Sequence, residues 1–417
     1  MTHNIKHLTL PLLLLLFFAP RQLIAQQTNM PASPRLEGLR AKGSDALLNL
    51  DYDAARETFK EIIHEFPDEP VGPRMLAWTT WLETLNKSRL QQGAIYSSQS
   101  FTQSVSQPDA KTVQEFRDAT RRAEQLARAL VQRKPHDPQA LYELGSVETL
   151  NASFAMTAQG RYLAALRDAS SGVDKLREVL KLDPNFHDAE LTIGLYDYVL
   201  GSLPLAAKLA TSFLGERGSK KRGLQALERV AKEGYWEHDD AKLLVMALYK
   251  GQKRFAESLV LSRELQEKYP RNYLFPMETA DTLIAQAADE RRANRIAAAD
   301  TLQNGALNIF AAELNPRANP RMPDRALALV HFRYGEALLS IREAERAARE
   351  FLAATTFRDT EGELITRGHL RAAQSFDFAG KRNEALAEYQ VVLTRPNARD
   401  LQEQARRGLK APYKIPT

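Results

Sequence analysis

The chain has 417 residues, of which 44% are hydrophobic and 26% are charged, and it contains no cysteine. This composition is typical of a folded protein and excludes disordered and collagen-like classes, while the missing cysteine excludes disulfides, thiolate metal sites, cysteine nucleophiles and a cysteine-linked lipid anchor. The formal net charge of +5 is too balanced to indicate nucleic acid or an anionic membrane as a partner.

Residues 1–25 have the layout of a secretory signal peptide. A basic start with Lys6 precedes the apolar run Leu8–Ala19, and Ala25 offers a small residue for cleavage. A membrane-spanning helix needs roughly 20 apolar residues, so this run favours a cleaved signal over the alternative, a retained anchor. We therefore expect an exported chain, located in the periplasm or outside the cell if the source is bacterial, with residues 26–35 as a linker.

The first stretch of helical spacing carries small and large residues at fixed intervals. Gly43 is followed by Ala55 twelve residues later, by Phe59 after four more and by Pro67 after a further eight. Small residues let two antiparallel helices approach closely, the large residue fills the gap between neighbouring pairs, and proline ends the second helix. The spacing predicts a helical hairpin.

The same spacing recurs along most of the chain. Five further units occur, at Ala123 with Pro135, Gly145 with Gly172, Ser258 with Pro270, Gly335 with Ala347, and Ala373 with Ala385. This series resembles the tetratricopeptide repeat (TPR) family, whose unit is a helix–turn–helix of 34 residues. The resemblance implies an all-α fold, a right-handed α-solenoid of TPR-like helical hairpins that share one continuous core.

Two segments depart from the repeat and set the expected organisation. Residues 194–234 resemble an atypical repeat pair of exported TPR proteins and, distantly, the Iml2/tetratricopeptide-repeat-39 group. Residues 315–323 are rich in proline and predict a break between an N-terminal block, 36–314, and a C-terminal block, 324–410. A short tail, 411–417, follows the second block.

The sequence contains none of the common catalytic motifs that were considered. It has no HExxH, GxSxG or GxGxxG motif, and its histidines fall at different phases of different repeats. We therefore predict no enzyme activity, no cofactor and no metal site. A basic turn, Lys220, Lys221 and Arg222, precedes a predicted helix and is a candidate contact for an anion, with a solvated turn as the simpler interpretation.

The TPR resemblance also implies where a partner binds. The first helix of each TPR lines a concave groove, and residues close to its small position face inward. Carried onto this chain, the groove candidates are Arg40, Ser44, Tyr142, Ser146, Tyr198, Phe332, Glu336 and Gln374. Tyr142 and Phe332 each lie three residues before a glycine, and they are the sharpest candidates. A place in the packed core is the alternative for each aromatic residue.

Three function classes follow from the sequence. The favoured one is a non-catalytic scaffold that binds a protein segment in the concave groove, with envelope assembly as the process suggested by export. The alternative is a binder of polysaccharide, lipid or a small molecule, which uses the groove and the long loops Ser88–Asp109 and Asn151–Gly160. An enzyme is the least favoured class, and the sequence does not identify the partner.

Overall fold

The computed structural model describes residues 33–92, 108–203, 218–315, 322–358, 360, 362–396 and 401–414. Seventeen α-helices and no strand occur within these ranges, so the predicted all-α fold is confirmed. The signal peptide lies outside the described residues, as do positions 26–32 of the linker, 93–107 of the long loop and 316–321 of the proline-rich break. The predictions for those segments stay predictions.

Consecutive helices pair as hairpins throughout the described chain. The first four hairpins are α1 (Pro34–Leu48) with α2 (Tyr52–Glu65), α3 (Val71–Gln92) with α4 (Ala110–Arg133), α5 (Pro138–Gln159) with α6 (Tyr162–Leu182), and α7 (Ala189–Ser202) with α8 (Lys220–Glu233). The next four are α9 (His238–Gly251) with α10 (Phe255–Lys268), α11 (Leu274–Arg292) with α12 (Ile296–Glu313), α13 (Asp324–Ser340) with α14 (Ala344–Ala353), and α15 (Gly362–Phe378) with α16 (Arg382–Thr394). A final helix, α17 (Leu401–Lys410), packs on the last hairpin.

Several helix starts are encoded locally. The Ser33 hydroxyl accepts a hydrogen bond from the backbone N–H of Leu36, and the Asp51 carboxylate accepts one from Ala54. Proline occupies the first turn of α1 and α5, where no N–H partner is needed. These caps fix the residues at which the first helices begin, and so they set which side chains face the paired helix.

Small residues meet large ones between the helices, as the spacing predicts. A Cβ atom at Gly335 would lie 2.8 to 3.0 Å from the Phe351 ring, and Gly43 is covered by the Phe59 ring in the same way. In the atypical pair the approach is closer still, because the backbones of Gly194 and Gly223 touch directly. Glycine at these positions lets the paired helices pack face to face.

Alanine substitution at two helical glycines is expected to change stability in opposite directions. At Gly223 a Cβ atom would lie 2.5 Å from the Gly194 carbonyl oxygen and 2.6 Å from the Tyr198 amide nitrogen, and backbone atoms cannot rotate away. Gly223→Ala should therefore lower the free energy of unfolding by about 1–3 kcal/mol. Gly38→Ala, whose Cβ would meet nothing within 4 Å, should raise it by about 0.5–1 kcal/mol. Urea unfolding measures both, and stabilisation by both variants would contradict the close helix approach.

One hairpin was missed by the sequence analysis, which found six regular units and one atypical pair. The missed hairpin, the sixth along the chain, is α11 with α12, whose helices have 19 and 18 residues, against 15 and 14 in the first hairpin. Its fully buried alanines, Ala280 and Ala299, are nineteen residues apart instead of twelve. The longer helices moved the small residues out of the expected register.

The first helices of the hairpins lie on the inner side of the stack. They contact one another across neighbouring hairpins, α3 with α5, α5 with α7, and α11 with α13. In a curved stack the inner helices have the shorter spacing, so these contacts identify the concave face. No helix within the described ranges is both long enough and apolar enough to cross a bilayer.

The solenoid curves far enough for distant hairpins to meet. The Asn272 side-chain amide donates a hydrogen bond of 2.6 Å to the Leu48 carbonyl, and the Arg271 backbone N–H donates one of 3.2 Å to the Asn49 side chain. Leu48 also packs in a buried cluster with Tyr269 and Phe275, and α3 touches α15. The first hairpin therefore lies across part of the concave face of the N-terminal block.

Candidate functional site

The inner helices of the N-terminal block enclose a cavity of about 170 Å³, here called the inner cavity. Its wall is built from α1, α3, α5 and α7 and from the start of α9, with the turn before it. All three tryptophans of the chain, Trp78, Trp81 and Trp236, contribute to this wall. The concave face thus forms an enclosed aromatic site where α1 covers it.

Four of the sequence-predicted groove residues meet at the inner cavity. Arg40 and Ser44 come from α1, and Tyr142 and Ser146 come from α5. Their positions around Gly43 and Gly145 turn them to the concave side, as the repeat spacing predicts. Tyr142 is only 2% exposed and also packs at 4.9 Å on Phe186, so this residue belongs to both the core and the wall.

Arg40 carries a buried positive charge on the cavity wall. Its side chain is stacked on the indole of Trp236, with Cζ 3.7 Å from the ring centroid, and the residue is 5% exposed. The aromatic face stabilises the guanidinium by a cation–π interaction. Across the described ranges, no acceptor forms a hydrogen bond with the Arg40 guanidinium, while the carboxyl groups of Glu37 and Glu237 interact with its charge.

A buried ion pair joins α3 to α5 behind the cavity. Arg74 donates to both oxygens of Glu143, at 2.7 and 3.2 Å, and the two side chains are 7% and 3% exposed. Gln139 donates a further hydrogen bond of 3.2 Å to Glu143. Burial lowers the pKa of Arg74, but the Glu143 carboxylate outweighs this effect and holds the pKa above its ordinary value. Arg74 is therefore a permanent, compensated charge.

The turn before α9 is held in place by one carboxylate. Asp188 accepts backbone hydrogen bonds of 2.8 to 3.1 Å from Tyr235, Trp236 and Glu237. Because these three N–H groups fix the turn, the side chains of Trp236 and Glu237 are presented to the cavity in one orientation. The Tyr142 hydroxyl then donates a 2.6 Å hydrogen bond to Glu237.

Acidic groups lie beside Arg40 at the start of α9. Burial raises the pKa of Glu237, and the charge of Arg74 opposes this shift. Burial also raises the pKa of Asp240 well above its ordinary value, and the neighbouring Glu237 and Asp239 add to the effect. In the part of the chain that the structure describes, no hydrogen-bond donor reaches Asp240. The cavity thus contains a cation and a carboxyl group that no described side chain binds directly.

Other predicted groove residues lie elsewhere. Phe332 is 5% exposed and packs edge-on to Phe351 at 5.2 Å in a buried cluster that extends from α11 to α15, so its groove assignment is replaced by a core assignment. Tyr198 is half-buried against the apolar cluster of α7, α8 and α9, instead of joining the cavity wall. In both cases, the side chain fills space between helices.

Glu336 and Gln374 lie together on inner helices of the C-terminal block. Arg371 donates to the two oxygens of Glu336 at 2.5 and 2.6 Å and to the Gln374 side-chain oxygen at 2.8 Å. Glu336 and Arg371 are half-buried, whereas Gln374 is 6% exposed. The structure brings these two candidates together at a place separate from the inner cavity.

The basic turn lies at the N-terminus of α8. Lys220 and Lys221 are exposed there, Arg222 pairs with Asp197 at 3.0 Å, and the Ser219 hydroxyl caps the helix. The anion contact stays a prediction. Among the described side chains, no group of three His, Asp or Glu residues has the arrangement of a metal site.

Sequence reasoning placed none of the tryptophans in the groove and did not single out Arg74 or Glu143. A signal for the ion pair exists in the sequence, because each of these charges interrupts an otherwise apolar stretch of an inner helix. A charge in such a place requires a buried partner. No comparable signal shows that Trp236, which follows a turn, reaches the same cavity as Trp78.

Comparison with known proteins supports the repeat prediction. Residues 43–69, which include most of the first hairpin, match the family model described as Tetratricopeptide repeat. No curated protein matches the sequence. The chain therefore contains a tetratricopeptide repeat, while the distant likeness of residues 194–234 to the Iml2 group stays a prediction.

Several solved structures are similar to this chain at low identity. A TPR protein from Thermus thermophilus is 17% identical, with a TM-score of 0.34 over 60% of this chain and 98% of its own. Human IFIT1, solved as a dimer with PPP-AAAA, is 12% identical, with a TM-score of 0.45 over 92% and 86% of the two chains. Yeast Tom70 is 10% identical, with a TM-score of 0.39 over 90% and 88%. The likeness concerns the fold alone.

Proposed function

We propose that this chain is an exported, non-catalytic TPR scaffold that binds a segment of a protein partner on the concave face of its C-terminal half, and that it serves envelope assembly. A row of polar side chains on successive inner helices carries this proposal. We call it the charged row and define it as Asp281, Arg333, Glu336, Arg371 and Gln374.

The charged row crosses three hairpins. Arg333 of α13 forms an ion pair with Asp281 of α11. Arg371 of α15 forms a bidentate ion pair with Glu336 of α13. The side chains of Asp281, Glu336 and Arg371 keep between 22% and 36% of their surface exposed. Charges arranged in a fixed order on a concave face favour one partner and one orientation through electrostatic complementarity.

The concave face around the inner cavity, from α1 to the start of α9, is a poorer place for a protein segment. The first hairpin covers it, and the remaining inner cavity has a volume of about 170 Å³. A helix with its side chains is about 10–12 Å across, and a cavity of this volume is too small to hold one. The C-terminal half therefore offers the better surface for a protein partner.

Site-specific photo-crosslinking tests the proposal. A photoreactive amino acid at Asp281 should form adducts with a protein partner in cells, whereas the same group at Arg263, exposed on the outer helix α10, should not. The double variant Glu336→Arg/Arg371→Glu keeps an ion pair but reverses the order of charges. It should melt close to the parent protein and reduce adduct yield at Asp281 by about tenfold.

Equal adduct yields at positions 281 and 263 would contradict the proposal, as would full yield in the charge-swapped variant. Retention on a glycan or lipid array without protein adducts would favour the polysaccharide or lipid alternative. Export is tested separately by N-terminal sequencing of the mature protein from cell fractions, where an intact Met1 in the cytosolic fraction would contradict it.

A further inference from the structure

We propose that the inner cavity is a binding site for a small zwitterion, an α-amino acid with an apolar or aromatic side chain. This site is separate from the charged row, and its function does not depend on whether the C-terminal half binds a protein. The argument rests on the size of the cavity, its apolar wall and two ionisable side chains, Arg40 and Asp240, that line it without a hydrogen-bond partner among the described residues.

The size and the wall suit one compact apolar group. An engineered protein cavity of about 150 Å³ is known to accept benzene, and the inner cavity has about 170 Å³. Trp78 and Trp81 lie side by side on its wall with ring centroids 4.8 Å apart, and Leu150 and Leu243 add aliphatic surface. A phenyl or branched aliphatic side chain is expected to pack against these groups.

Arg40 is suited to the carboxylate of such a ligand. The stacking on Trp236 fixes the guanidinium plane, and the side chain is almost fully buried. A buried cation whose donors are unused is costly, and a carboxylate satisfies two of those donors at once with matching planar geometry. Exposed arginines of the same helix, such as Arg35, are instead paired with glutamates of α2.

Asp240 is suited to the ammonium group. It lies one helical turn after Glu237, on the same side of α9, and both residues line the cavity. Glu237 is engaged by the Tyr142 hydroxyl, whereas Asp240 receives no hydrogen bond from any described residue. The start of α9 brings Trp236, Glu237 and Asp240 close together along the chain. Because Arg40 stacks on Trp236, the guanidinium lies at the same end of the cavity as the carboxyl groups of Glu237 and Asp240. Carboxylate and ammonium groups of an α-amino acid are separated by one carbon and match this arrangement.

Tryptophan fluorescence provides a direct assay, because every tryptophan of the chain is in the cavity wall. The purified protein is titrated with phenylalanine and leucine, with phenethylamine, which lacks the carboxylate, and with phenylpropionate, which lacks the ammonium group. Phenylalanine or leucine should change the emission saturably. The best of them should bind about tenfold or more tightly than either truncated compound, since each truncation leaves the Arg40 or the Asp240 side chain without its hydrogen-bond partner.

Two variants assign the ends of the ligand. Arg40→Gln should remove the preference for phenylalanine over phenethylamine, and Asp240→Asn should remove the preference over phenylpropionate. Arg35→Gln, on the exposed side of α1, should leave both preferences unchanged. Helical circular dichroism and melting are recorded for each variant, and Asp240→Asn keeps the assignment testable if Arg40→Gln fails to fold.

The proposal is overturned if neither phenylalanine nor leucine gives a saturable change in emission. It is also overturned if the three phenyl compounds bind equally, or if Arg40→Gln and Arg35→Gln behave alike. A partner crosslink at Asp281 has no bearing on these outcomes, so failure of this site and failure of the protein-binding role are distinguishable.

Discussion

Arg74→Ala is expected to lower the free energy of unfolding by about 3–5 kcal/mol. The substitution leaves the Glu143 carboxylate buried at 3% exposure with only the Gln139 amide to compensate its charge. The ion pair itself joins α3 to α5 at the back of the inner cavity, so its loss also loosens the wall that carries Trp78 and Tyr142. Chemical unfolding followed by circular dichroism measures the effect.

Two controls separate a buried charge from a lost contact. Arg121→Ala removes an exposed pair with Asp118, whose side chains are 63% and 55% exposed, and should cost less than about 1 kcal/mol. Arg74→Met combined with Glu143→Leu removes both charges and should be neutral or stabilising by about 1–4 kcal/mol. If Arg74→Ala is as mild as Arg121→Ala, the pair is not buried in solution.

Phe332→Ala is expected to destabilise the C-terminal block by about 3–5 kcal/mol. Its ring is 5% exposed, packs edge-on to Phe351 and belongs to a buried cluster that extends from α11 to α15. Truncation leaves a void that the surrounding helices fill only partly, so the variant loses both burial and packing. Val260→Ala, at a position 52% exposed on α10, should stay within about 0.5 kcal/mol of the parent protein.

Melting also decides between the two roles considered for Phe332. A groove residue would leave the melting temperature nearly unchanged and weaken only partner binding. A large drop therefore identifies a core residue, and an unchanged melting temperature would return Phe332 to the groove. The full melting curve is recorded, because a repeat protein can unfold in more than one step.

The groove candidates near the N-terminus line a common cavity, and their role in binding a partner stays a prediction. Arg40 and Tyr142 reach a common cavity because the three-residue offset from a packing glycine sets the helix face, which is a local property. The same offset at Phe332 gives a residue that is buried between helices, since the offset fixes a direction and not what lies in that direction. Whether an inward side chain meets a cavity or a neighbouring helix depends on the curvature of the whole stack.

The sequence by itself determined the all-α repeat architecture, because each hairpin is specified by contacts such as Gly43 with Phe59 that are close along the chain. The tertiary structure alone decided that the first hairpin covers part of the concave face. The bond from Asn272 to Leu48 joins residues 224 positions apart, and the stacking of Arg40 on Trp236 also crosses several hairpins. Such contacts follow from the small rotation that accumulates at each successive hairpin. The spacing of residues within one hairpin does not predict this accumulated rotation. The inner cavity and the ionisable groups on its wall were therefore found only in the folded chain.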